Sequence, residues 1–72
     1  MRPGRLLEEI DHRIGIGDAA RIRGCVSARR GEAVDAVARF EESLRINRET
    51  GYLLGEAEVC RDYAEFLRPH GQ

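Results

Sequence analysis

Lysine is absent from this 72-residue chain, and all 12 basic residues are arginine. That bias reads as the mark of a GC-rich genome, and guanidinium groups also suit two-pronged contacts with carboxylates. No charge of one sign dominates: 12 basic residues against 13 acidic ones leave a net charge of −1, which excludes a global pull toward nucleic acid or an acidic membrane. Long apolar runs are missing too. The longest uncharged stretch, Thr50 to Gly55, has six residues, far short of a bilayer span. Acidic residues interrupt the apolar part of "MRPGRLLEEI", so no secretory signal is predicted and a cytoplasmic location is the expectation. Cys25 and Cys60 stand 35 positions apart without the paired spacing of a zinc site, and the only histidines are His12 and His70. Free thiols are expected, with a Cys25–Cys60 disulfide as the alternative, and no metal or cofactor. Strand signals are lacking as well, since no β-branched run or alternating segment occurs.

What is present is glycine, eight residues of it. Gly15-Ile16-Gly17-Asp18-Ala19-Ala20 spells G-x-G-x-x-A, a form of the dinucleotide fingerprint. That motif works only after a buried strand and before a helix, where glycines let backbone approach a pyrophosphate. The preceding "LLEEIDHRI" carries five ionisable residues and is no such strand. Gly15 is therefore expected in a turn between two helices, with Gly17 and Asp18 helping to start the second.

The chain also repeats itself. Sliding it by forty positions sets residues 12–31 on 52–71, with Gly15 on Gly55, Arg21 on Arg61 and Gly31 on Gly71. Ile14 meets Leu54, Ala20 meets Cys60 and Gly24 meets Ala64. Small residues at Ala20, Gly24, Ser27 and Ala28 recur at helical spacing and predict a helix over 16–30 that a neighbour can approach closely. Ala33, Ala36, Val37, Phe40, Leu44 and Asn47 mark one stripe of a second helix over 32–50. A third is expected over 56–68, before Pro69 and Gly71. Residues 5–13 read as the tail of a preceding helix. Gly31 and Gly51 are placed as helix-ending turns.

Gly24, Gly31, Ala36, Phe40 and Ser43, in that order and spacing, resemble the tetratricopeptide repeat, and the forty-residue period resembles the longer form found in bacterial regulators. The resemblance implies an all-α right-handed solenoid of antiparallel helix hairpins, with armadillo or HEAT repeats as the runner-up. Residues 1–72 would be one module: a B-type tail (5–13), one complete A–B pair (16–50) and a further A-type helix (56–68). It also implies a concave groove lined by A-type helices. Arg21, Cys25 and Arg29 would contribute from one, and Arg61, Glu65 and Arg68 from the next, with Arg21 and Arg61 side by side to hold a peptide carboxylate.

No catalytic constellation emerges. Ser27 and Ser43 have no histidine near them in the chain, and Glu8–Glu9 and Glu41–Glu42 point about 100° apart on a helix. His12 is expected near a helix end, where the dipole favours its positive form. The chain is accordingly read as a non-enzymatic scaffold for protein–protein interaction or oligomerisation, in the setting of a bacterial regulator. A protein or peptide partner is expected, with no membrane. A solenoid buries its apolar face only against neighbours. Val59, Tyr63, Phe66 and Leu67 are thus expected to form an end face covered by further repeats or by a second copy. The alternative is a helical-repeat module binding nucleic acid, which the charge balance disfavours.

Overall fold

The computed structural model describes residues 3–68. They form α1 (Pro3–Arg29), α2 (Ala33–Thr50) and α3 (Leu53–Leu67), and no strand occurs among them. Both reversals are made by glycine in the left-handed region, Gly31 at φ 76° and Gly51 at φ 71°. The hydrogen bonding is the same at each. Glu32 N–H donates to Ser27 O and Gly31 N–H to Ala28 O; Tyr52 N–H donates to Asn47 O and Gly51 N–H to Arg48 O. This double bond pattern closes the last open carbonyls of a helix and needs a residue without a Cβ at its centre. The all-helical class and both of these turns agree with the sequence pattern.

The turn expected at Gly15 does not exist. α1 runs unbroken through Gly15 and Gly17, so the segment read as the tail of a preceding helix and the helix after it are one element about 40 Å long. Neither glycine has a positive φ. Gly17 instead serves close packing, because a Cβ there would lie 3.2 Å from Ile46 Cγ2. His12 consequently sits in mid-helix, exposed, and not at a terminus. α3 begins at Leu53, earlier than expected, because Gly55 lies inside its first turns and makes room there for Asn47 and Tyr52. The expectations for Pro69, His70 and Gly71 lie outside the described residues.

α2 returns antiparallel along α1. Arg13 pairs with Glu49, Gly17 meets Ile46 and Asn47, Gly24 meets Phe40, and Ser27 Oγ donates to Asp35. The face of α1 under α2 is a stripe of small buried residues, Gly17, Ala20, Gly24 and Ser27, spaced three, four and three apart. Their size brings the helix axes close enough for α2 to seat Phe40 and Ile46 between them. α3 then runs antiparallel to α2 and beside α1. Val59 is fully buried, and Tyr63 and Phe66 pack round Phe40 with ring centroids 5.3 and 5.9 Å from it. Three of the four residues expected on an open end face therefore belong wholly or partly to the core, and Leu67 alone stays largely exposed, at 62%. Phe40 accounts for this: it reaches past α1 and offers α3 an apolar surface that sequence spacing did not reveal.

Candidate functional site

α1 and α3 lie side by side and meet through one polar cluster. Arg21 Nη1 donates to Asp62 Oδ2 at 2.8 Å, and the Cys25 thiol approaches the same oxygen at 3.5 Å. Arg61 Nε reaches the other oxygen, Asp62 Oδ1, at 3.4 Å. Asp62 was not among the residues singled out in the sequence, yet it organises the cluster. Its neighbour Arg61 matches Arg21 at the forty-residue offset, whereas the half-buried acid one position along, on the side facing α1, belongs to no motif or repeat match.

The arginine ladder is thereby revised. Arg21 and Arg61 do converge, but on a carboxylate of the chain itself, which stands where a partner's carboxylate was expected. Burial raises the Asp62 pKa, and the hydrogen bonds from Arg21 and Cys25 outweigh it, leaving the carboxyl below its ordinary value. The hydrogen bond to Asp62 raises Arg21 further above its already high value. Burial, followed by the negative charge of Asp62, pushes the Cys25 thiol up, which makes it a poor nucleophile. Arg29, Glu65 and Arg68 stay exposed, and Arg68 makes a 3.7 Å contact with Glu65. Cys25 and Cys60 are both free, one half-buried and the other exposed. Asp62 therefore bridges Arg21 and Arg61 on the seam between α1 and α3.

A different surface is left open. On α3, Leu53, Ala57, Cys60, Ala64 and Leu67 are all exposed, with Leu53 at 75%. Their spacing of four, three, four and three places them along one side of the helix. Shifted back by forty positions, the last four fall on Gly17, Ala20, Gly24 and Ser27, the very residues of α1 that α2 covers. The two faces occupy the same place in the repeat; one is packed and the other is bare. A second open region lies where α1 overhangs the end of α2, with Leu6, Ile10 and Arg13 beside Glu49 and Thr50.

Among the described residues, no helix is long and apolar enough to cross a membrane, and no group of three or more His, Cys, Asp or Glu side chains is placed to hold a metal ion. No family model, curated protein or solved structure matches the chain.

Proposed function

We propose that the chain is a helix-docking module, a scaffold for protein–protein interaction or oligomerisation built on tetratricopeptide-like helix pairs. One observation carries this reading: the exposed face of α3 repeats, at an offset of forty residues, the face of α1 that the chain itself buries under a helix. Leu53 and Leu67 at its ends are 75% and 62% exposed. Covering a leucine fully is worth about 2 kcal/mol, so a helix laid along this face gains from both ends and loses little in the small-residue middle. The groove side of the module contributes less, because Asp62 already engages one nitrogen each of Arg21 and Arg61 there.

The reading is tested by selecting a displayed library of amphipathic helices against the chain, with the Ala64→Glu variant as counter-target. Ala64 is exposed, so the substitution leaves the fold intact, as circular dichroism would verify. Helices that bind the chain and are rejected by the variant support the proposal. A selection that yields no such helix overturns it.

A further inference from the structure

We infer that the α3 face is covered by α3 of a second copy of this chain, packed parallel and in register about a two-fold axis. The inference rests on the helix-docking reading above and names its occupant. The first ground is spacing. Leu53, Ala57, Cys60, Ala64 and Leu67 follow the strict alternation of four and three that defines a two-helix seam, narrower than the face of a helix buried in a globular core.

Size is the second. A helix like α2 seats a phenylalanine on Gly24, where an added Cβ would fall 2.9 Å from the ring. At the matching position α3 has Ala64, which carries that Cβ, so an α2-like helix cannot approach as α2 does. Two copies of α3 meet without this conflict. Small residues face small residues at 57, 60 and 64, and leucines face leucines at 53 and 67.

Charge supplies the direction. Glu56 and Tyr63 flank the seam on one side, with Arg61 and Arg68 on the other. In a parallel pair, a residue on the first flank meets the residue five further along in the second copy, which sets Glu56 against Arg61. An antiparallel pair centred on residue 60 would set Arg61 against Arg61. Both charges are at hand: the Arg61 side chain is 72% exposed, and Glu56 contacts Arg48 through Oε2 only. The seam spans barely two heptads and buries less than the about 1,200–2,000 Å² of a standard interface, so the association is weak and concentration-dependent.

The experiment uses Cys25→Ser, which leaves Cys60 as the sole thiol. Sedimentation over a micromolar-to-millimolar range should show reversible dimers. Diamide, taking two electrons and two protons from a pair of thiols, should then link Cys60 to Cys60. With Leu53→Cys as the only thiol (Cys25 and Cys60 both changed to serine), a link between the two copies of residue 53 should also form, as only parallel pairing allows. Glu56→Arg and Arg61→Glu should each lower the dimer fraction several-fold alone. Mixing the two variants should restore it, because both flanking contacts are then between opposite charges. Ala64→Glu should abolish association. A monomer at every concentration overturns the inference, as does a dimer that links through Cys60 but not through the Leu53→Cys thiol, or one that Ala64→Glu leaves intact. If the chain stays monomeric while the helix selection yields discriminating binders, the second copy is the wrong occupant and the docking reading stands. If both experiments fail, both ideas fall.

Discussion

Gly24 of α1 rests directly against the Phe40 ring of α2, with no room for a side chain between them: an added Cβ would lie 2.9 Å from both Cδ1 and Cε1. Phe40 is 1% exposed and is held on its other sides by Tyr63 and Phe66, so it cannot retreat. The contact fixes how closely α1 and α2 approach, and through Phe40 it fixes where α3 sits.

Glycine-to-alanine substitutions within α1 should therefore have opposite signs at two positions. At Gly15 nothing lies within 4 Å of the added Cβ, and Gly15→Ala should stabilise the chain by about 0.5–1 kcal/mol through helix propensity. At Gly24 the same gain is outweighed by overpacking, which typically costs about 1–3 kcal/mol and leaves a net loss. Thermal melts of the two variants beside the parent check this. Equal shifts at both sites would mean that Phe40 yields.

Asn47 is 1% exposed and lies between Gly17 and Gly55; among the described residues its Oδ1 has no hydrogen-bond donor, and its Nδ2 donates to Ser43 Oγ at a long 3.4 Å. A Cβ on Gly55 would stand 2.5 Å from that oxygen. Gly55→Ala should destabilise by about 1–3 kcal/mol, and much of the loss should vanish when Asn47→Ala is already present. Urea denaturation of the two single variants and the double variant measures the coupling. Strict additivity would show that the asparagine does not define this three-helix junction.

Acid sensitivity should trace to Asp62. Its carboxyl is held below the ordinary 3.8 in the folded chain, so its contribution is fully present above the unfolded value and is lost as pH falls through the folded one. Asp62→Asn should cost about 1–2 kcal/mol at neutral pH, the worth of a part-buried charged hydrogen bond. The gap between variant and parent should hold down to about pH 5 and narrow below about pH 4. Urea midpoints across that range are the measurement; a gap independent of pH would assign the stabilisation to something other than the ionised carboxylate.

The amino-acid sequence determined the helical class, the two reversals at Gly31 and Gly51, and the stripe of small residues in 16–30, because each follows from local chemistry. A glycine that must turn left-handed after an apolar periodic run is visible without a structure, and so is the spacing of residues that share a helix face. Only the tertiary structure decided what the remaining glycines do. Gly15, Gly17 and Gly55 have the same composition signature as a turn or a phosphate loop, yet all three lie within helices, two of them pressed against side chains from other elements. A stripe of small residues shows where a neighbour can come close, as at Gly24, but which side chain arrives there is a property of two segments at once. The same holds for Asp62, whose partner Arg21 is 41 positions away, and for Val59, which Phe40 draws into the core. Local pattern set the elements; the packing of α1, α2 and α3 around Phe40 set which of their faces is buried and which is left exposed.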